Sequence, residues 1–486
     1  MKKTVLKLFC LLLSLFLLMG LFVACNGEKD PGKDDPADGP TLTPPTEREL
    51  ALALYRSVDE KMSAADSYAV KIDMELATSK DGIAIKATGT ENEYFVNLKS
   101  STQFSHLSHA NLEMDMTYNG QKHKLENEMR SGYVDGKMFL NNKETQDGTA
   151  LVDQKLYSSI SGADYIAYYD EINEDAFELS DGDFSVATYK QNENGTVTAS
   201  FSGFTASGLE KMPFFDEDLK EMFEKGKQPT DVVITLVVGA DQYPLSLSLA
   251  FQFGNGGIST LAAAVTPELK ISATYSGINA TTMPAVDLTG FSSVGDLRAM
   301  EYANRAIKAR LDAESGSFNT ETVVVLSGNA TTERSEVKQQ IEYATATDGA
   351  YSYHVAQEQD GVKRTIEYKN GLKKDSTGAI AIYTDAKARA EIEASMIPGG
   401  FEVIRIKTVR VVSKDDTKQV YEFALNSSDE AASLAASLGL SLKSFTATAT
   451  VIVENGQLTK YQYKLSVATT RNGLPCWVAV TTTVTF

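Results

Sequence analysis

Few residues of this chain have the type and spacing for chemistry. Four histidines (His106, His109, His123 and His354) and three cysteines (Cys10, Cys25 and Cys476) are spread through 486 residues. His106-Leu107-Ser108-His109 has the spacing of a metal pair on one helical face, but no cysteine or HExxH arrangement supplies further ligands. Its surroundings read as strand or loop, so all four histidines are expected at the surface. Ser335-Glu336-Val337-Lys338 matches SxxK in letters only, because it lies in strand-like sequence without the helix that would aim both side chains at a substrate. Carboxylates cluster at Asp170-Glu171-Ile172-Asn173-Glu174-Asp175 and at Asp181-Gly182-Asp183. Calcium needs roughly six to eight oxygen ligands, and this spacing is not that of an EF-hand loop. Paired acids could hydrolyse a glycoside, yet so acidic a chain forms such pairs by chance, and a solvated acidic face is the expected reading. GxSxG, P-loop and GxGxxG motifs are absent. These residues predict no catalytic site, no metal and no cofactor.

Hydrophobic periodicity is more informative. Thr46 can cap a helix, and Glu49 three places on completes a capping box. Leu50, Leu54, Val58 and Met62 then recur every four residues as one apolar face. After Asp66-Ser67 the period switches to two: Val70, Ile72, Met74 and Leu76 alternate with Lys71, Asp73 and Glu75, as in a half-buried antiparallel strand.

The same order recurs from residue 291. Ser293 is the expected cap of a helix bearing Met300, Ala303, Ile307 and Leu311, Ser315-Gly316-Ser317 breaks it, and Thr322 opens a new strand set. Helical interludes are expected at residues 151–169 and 385–396. Further ones carry Phe215, Leu219, Met222 and Phe223 in one half, and Ala431, Leu434, Ala435 and Leu438 in the other. Closing hairpins pair residues 232–238 with 245–253, and 445–453 with 461–467. Each half ends on one more strand, 269–275 and 478–486. One plan read twice predicts a tandem duplication.

Asx-Gly pairs suit the type I′ turns between antiparallel strands. They occur at Asp81-Gly82, Asn119-Gly120, Asp135-Gly136, Asn194-Gly195, Asp360-Gly361, Asn370-Gly371, Asn455-Gly456 and Asn472-Gly473. The predicted fold class is α+β: two tandem domains, residues 46–283 and 292–486, joined by a linker at 284–291. Each is a curved antiparallel sheet with helices packed on its concave face. Leu112, Met114 and Met116 on one strand, and Leu247, Leu249, Phe251 and Phe253 on another, point inward, and the helix with Phe215, Leu219 and Phe223 should lie over them. Such a lining either fills a dry core or surrounds an apolar ligand, and methionine suits both.

The N-terminus carries a different kind of signal. Met1-Lys2-Lys3 precedes an apolar run from Leu8 to Ala24, the layout of an export signal over residues 1–24. Leu21-Phe22-Val23-Ala24-Cys25 resembles the bacterial lipobox, with Phe22 where leucine is usual. That resemblance implies a lipid-modified Cys25 at the mature N-terminus, anchored extracytoplasmically, most naturally on the outer face of the cytoplasmic membrane. Residues 26–45 are Asp, Lys, Gly and Pro with almost nothing apolar, and read with Cys25 as a disordered tether. Losing Lys2, Lys3 and Lys7 with the signal takes the formal charge from −19 to −22. A surface this acidic repels phosphate backbones, which argues against nucleic acid as a partner. Cys476 has no second cysteine to pair with besides the anchor, and beside Trp477 it is expected as a small buried apolar residue.

The lipid anchor, leading helix, long antiparallel sheet and returning helices together resemble the LolA/LppX/LprG-type fold. There an incomplete barrel with a helical lid encloses a cavity for acyl chains. The resemblance covers most of residues 46–486 and is topological. It implies a non-enzymatic protein that binds a lipid or an acylated molecule, although a duplicated arrangement departs from the single-domain carriers. The alternative is a structural protein with filled cores that recognises another envelope component. A hydrolase stands third.

Overall fold

The computed structural model describes residues 44–80, 83–118, 120–172, 179–205, 208–209, 230–252, 268–328, 331–347, 349–402, 405–415, 417–471 and 474–486. Cys25, Phe215, Leu219, Phe223 and Phe253 lie outside them. The chain divides into two compact units at residues 291 and 292, with residues 156–158 grouped with the second. The protein is mostly β, so the α+β expectation gives helices too large a share. Each unit is built on one large, open antiparallel sheet.

In the first unit α1 (Glu47–Ser63) precedes β1 (Ser67–Lys80), β2 (Ile83–Val96), β3 (Ser105–Tyr118), β4 (Gln121–Val134), β5 (Lys137–Gln146) and β6 (Thr149–Ser159). Then come α2 (Gly162–Ile172), β7 (Phe184–Gln191), β8 (Val197–Phe204), β9 (Thr230–Val238), β10 (Pro244–Gln252) and β11 (Glu268–Ser276). The sheet order is β6-β5-β4-β3-β2-β1-β11-β10-β9-β8-β7. The first six strands therefore wind outward from β1, and the last five return from the far edge until β11 pairs with β1, Ile72 opposite Ala273.

The second unit opens on the two-residue strand β12 (Ser292–Ser293) and α3 (Arg298–Leu311). It continues with β13 (Ser315–Gly328), β14 (Thr331–Thr345), β15 (Tyr351–Gln359), β16 (Val362–Lys369), β17 (Leu372–Asp375), β18 (Ile380–Ile382) and α4 (Asp385–Met396). The return strands are β19 (Ile406–Lys414), β20 (Lys418–Leu425), β21 (Ser444–Glu454), β22 (Gln457–Arg471) and β23 (Leu474–Thr485), with α5 (Ser428–Ser437) between β20 and β21. Its order, β18-β17-β16-β15-β14-β13-β23-β22-β21-β20-β19, follows the same outward-and-return path.

Local physics accounts for the elements. Thr46 Oγ1 accepts from Glu49 N at 3.2 Å and Glu49 Oε2 from Thr46 N at 2.7 Å, a complete capping box. These bonds favour the ionised carboxyl and hold the Glu49 pKa below its ordinary value. The buried face of α1 is Ala51, Leu52, Val58 and Met62, with Leu54 and Tyr55 packed beside it. A strict four-residue repeat drifts off a 3.6-residue helix, which is why Leu50 is only half-buried. In α3 the cap position belongs to Leu297 and not to Ser293, which lies in β12; Asp296 Oδ1 accepts from Arg298 N instead, at 3.0 Å. Residues 151–159, expected as helix, are the exposed-and-buried alternation of β6. Asp135-Gly136, Asp360-Gly361, Asn370-Gly371 and Asn455-Gly456 all have positive φ at both residues, as a type I′ hairpin turn requires.

Helices pack against the sheets, α1 on β7 and β8, α3 and α5 on β22, and α4 on β13 and β15. Arg48 secures α1: its guanidinium lies 4.6 Å from the Phe184 ring centre and pairs with Asp181 at 2.6 Å. In the second unit Tyr353 Oη donates to Glu391 of α4 at 2.9 Å, and Tyr368 Oη donates to Asp385. Free Cys476 is buried, while the neighbouring Trp477 is about half exposed.

Candidate functional site

The inner face of the first sheet changes character along its strands. On β3 the inward residues run Met116, Met114, Leu112, Ala110, Ser108 and His106, all buried. On β2 they run Ile85, Ala87, Gly89, Glu91, Glu93 and Phe95. One end of the face is therefore apolar and the other carries two acids, a hydroxyl and an imidazole. The step from Met116 to His106 spans about 33 Å at an extended rise of about 3.3 Å per residue.

The acidic end is deeply enclosed. Glu91 is 0% and Glu93 2% exposed, a state carboxylates reach only when something compensates it. Strand register assembles the group: Glu93 faces Val70 of β1 on one side and Ser108 of β3 on the other, and Phe95 faces His106. Val70 in turn faces Tyr275 of β11. From α2, Tyr165 and Tyr169 project from one helical face at a four-residue spacing; Tyr165 Oη lies 2.7 Å from His106 Nδ1. The His106 ring stacks on Phe95 at 4.6 Å and meets Tyr169 edge-on at 5.1 Å, while Phe95 stacks on Tyr68 at 4.7 Å.

Hydrogen bonding inside the group is incomplete. Ser108 Oγ donates to Glu91 Oε1 at 2.5 Å. Tyr68 Oη, Glu91 Oε2, Glu93 Oε2 and His106 Nε2 are buried without a partner. His106 Nε2 lies 3.6 Å from Glu93 Oε1, beyond a hydrogen bond. Burial pushes the Glu93 pKa up to about 8 and the His106 pKa down to about 3. Glu91 is likewise raised well above its ordinary value, by burial first and then by Glu93. An ion pair would shift both partners the opposite way, and at this separation in a dry interior the cost of desolvating two charges dominates. Burial thus favours the neutral form of each partner, a protonated acid beside an uncharged imidazole.

The polar band continues toward the sheet edge through Asn127, Asn142, Glu144, Gln154 and Ser158, all buried. Asn127 Nδ2 donates to Asn142 Oδ1 at 2.8 Å. Among the described residues of 292–486 the buried polar side chains are Thr320, Ser427, Thr469 and Thr482, with no buried carboxylate.

Of the apolar lining expected from sequence, Leu112, Met114, Met116, Leu249 and Phe251 are buried in one continuous cluster with α1, and Leu247 packs partly buried against it. His106 is a correction: it is 5% exposed, whereas the side chains of His109, His123 and His354 are 38%, 32% and 44% exposed. Continuing the Leu112–Met114–Met116 alternation backward by twos reaches Ala110, Ser108 and His106, the signal that would have found it. Ser335 and Lys338 sit on β14, where Lys338 pairs with Glu336 at 2.6 Å and Ser335 Oγ donates to Asp360 at 3.2 Å, so the SxxK letters form no catalytic pair. Asp181 binds Arg48, and the buried Asp183 carboxylate accepts from Ser180 N at 2.8 Å. Among the described residues no three His, Cys, Asp or Glu side chains are arranged to hold a metal ion.

A depression of about 750 Å³ lies on the outer face of the same sheet. It is open to solvent and lined by hydrophilic side chains, among them Asp73, Glu75, Thr90, Asn111, Glu113 and Lys270.

No family model matches the chain, and no curated protein matches it. Solved structures resemble it only distantly. A β-barrel-like protein of the domain of unknown function DUF1849 from Brucella abortus aligns over 44% of this chain and 97% of its own, at 11% identity and a TM-score of 0.18. A DUF3598-family protein of unknown function from Nostoc punctiforme aligns over 85% of this chain and 94% of its own, at 7% identity and a TM-score of 0.12.

Proposed function

We propose that this chain is a lipid-anchored extracytoplasmic protein that binds an amphiphile, a lipid or an acylated molecule, within its first unit and performs no chemistry on it. The observation that carries this reading is the gradient along β2 and β3. An apolar stretch from Met116 to Leu112 leads into a buried group with unpartnered polar atoms at Tyr68, Glu91, Glu93 and His106. A buried polar atom left unsatisfied costs about 1–3 kcal/mol, and several together in a native interior call for an occupant or trapped water. An amphiphile lying along the strands satisfies both ends at once, its chain on the methionines and its head group on the acids. In this reading the sheet is an incomplete barrel whose helices cover the concave face. Cys25 holds the assembly at the membrane that supplies the ligand.

Native mass spectrometry of the protein extracted from its own membrane tests this. The expected result is a discrete lipid mass lost on gentle activation, in addition to the acyl groups on Cys25. A bare protein mass, with no lipid recovered by solvent extraction, would overturn it.

The alternative, recognition of another envelope component, draws support from β18. This edge strand of the second sheet leaves Ile380 63% and Ile382 87% exposed, and an apolar unpaired edge is a template for a partner's strand.

A further inference from the structure

The buried acids specify what kind of head group fits. This inference rests on the amphiphile reading above and deepens it. Glu93 is faced by Tyr68 from β1, Glu91 on its own strand, His106 from β3, Tyr165 and Tyr169 from α2, and Tyr275 from β11. Among the described residues no lysine or arginine is buried anywhere in the first unit. The neighbours are four phenols, a neutral imidazole and a second acid, and nothing among them balances a carboxylate. The unpartnered atoms, Glu91 Oε2 and Glu93 Oε2 foremost, become strong acceptors once ionised. What they lack is a cationic donor. Aromatic rings favour the same guest, since the π systems of Tyr68 and Tyr169 attract a desolvated cation.

We propose that Glu91 and Glu93 receive the ammonium group of an amine-bearing amphiphile, with the rings of Tyr68 and Tyr169 beside it and the chain running toward Met116. The proton balance is explicit. The free site holds protonated acids; the incoming R–NH₃⁺ keeps its three protons; at least one carboxyl proton leaves to solvent, so that the buried site ends near neutrality. Binding therefore releases a proton below the pH at which the acids ionise in the free protein.

The test uses the full mature chain with Cys25→Ala to keep it in solution, titrated calorimetrically with octylamine and with octanol. These probes share a tail and differ in charge. Octylamine should bind at least about tenfold tighter than octanol, since its ammonium gains charge-assisted bonds that a hydroxyl cannot make. Its affinity should rise with pH from about 6 to 8, by up to about tenfold per unit, with an enthalpy that varies with the ionisation heat of the buffer. Glu93→Gln should abolish that preference. The comparison of the two probes on unsubstituted acids, with its pH slope, needs no variant and is immune to misfolding of Glu93→Gln. Equal binding of both probes, with no proton release, would overturn the amine assignment while leaving the amphiphile reading intact. Binding of neither probe would overturn both.

Discussion

Glu93 Oε1 and His106 Nε2 stand 3.6 Å apart on neighbouring strands, each almost wholly buried, and burial disfavours the charged form of both. Both departures come from desolvation, and they have opposite consequences for stability. Glu93 keeps its proton to about pH 8 in the folded chain against 4.5 when solvated, and His106 refuses one down to about 3 against 6.5.

Between pH 4.5 and 6.5 the two effects oppose: folding binds a proton at Glu93 and gives one up at His106. Above 6.5 only the Glu93 effect remains; unfolding releases its proton, so stability falls as pH rises to about 8. Below 4.5 only the His106 effect remains; unfolding takes a proton up, so stability falls as pH drops to about 3. One proton corresponds to about 1.4 kcal/mol per pH unit, so the first unit should lose on the order of 2 kcal/mol across the upper window. Glu91, also raised, steepens that loss. With both acids raised, folding takes up a net proton already between 4.5 and 6.5, so urea midpoints measured from roughly pH 3 to 9 should peak near pH 4.5, fall to about 6.5 and fall more steeply above it. Glu93→Gln should lessen the upper fall; a wild-type profile flat above pH 6.5 would mean that the acids are hydrated.

Tyr165→Phe should loosen α2. The lost hydroxyl lies 2.7 Å from His106 Nδ1 and has no substitute, so a buried nitrogen is left unpaired at a cost of about 1–3 kcal/mol. The ring itself, stacked on Tyr133 at 4.9 Å, stays. Amide exchange should quicken across residues 162–172 more than in β1 or β11. Uniform acceleration in every element would instead indicate global destabilisation alone.

Gly132 lies beside the same group for a steric reason. A Cβ there would meet the His106 carbonyl oxygen at 2.1 Å and Leu107 Cα at 2.9 Å. Both obstacles are backbone, and Gly132 pairs with Leu107 in the β3–β4 ladder, so the strands must part or the ladder must shift. Gly132→Ala should cost about 1–3 kcal/mol as an overpacking change. It should also move the acidic group: the pH-dependent fall above 6.5 should weaken, because displaced strands admit water. Gly136→Ala, where a Cβ meets nothing within 4 Å, shares the positive φ and separates turn strain from collision.

How far the fold could be read from sequence depended on which signals are local. The capping box at Thr46 and Glu49, the span of α4 and the Asx-Gly turns at Asp135, Asp360, Asn370 and Asn455 follow from neighbours within four residues, whereas Asn194 lacks the positive φ of a type I′ turn. Strand β6 occupies the first part of the helix expected over residues 151–169. Its place at the end of the outward run beside β5 decides the matter, and that contact is not local. The acidic group was missed for a similar reason. Glu91, Glu93 and His106 are residue types expected in water, so composition marks them as surface. Only the phase of β2 and β3, fixed by Ile85 and Ala87 and by Met116 to Leu112, puts them inside.

Replacement of Cys25 tests the link between that interior and a membrane. Each buried methylene of an acyl chain contributes about 0.8 kcal/mol, and two or three chains exceed what stable anchoring needs. The wild-type protein should therefore partition into detergent, and its N-terminal peptide should carry diacylglycerol on Cys25 with Met1 to Ala24 removed. Cys25→Ala should appear in the aqueous phase, or as a precursor that still carries the signal, while the urea midpoint of the folded units stays unchanged because residues 26–45 separate them from the anchor. If amphiphiles reach the first unit from the membrane, the lipid recovered with Cys25→Ala should fall together with membrane association. Full lipid occupancy in the released protein would mean that the ligand is acquired before anchoring. An unmodified Cys25 thiol on the wild-type chain would remove the anchor from the scheme and leave Glu91, Glu93 and His106 to select their ligand from solution.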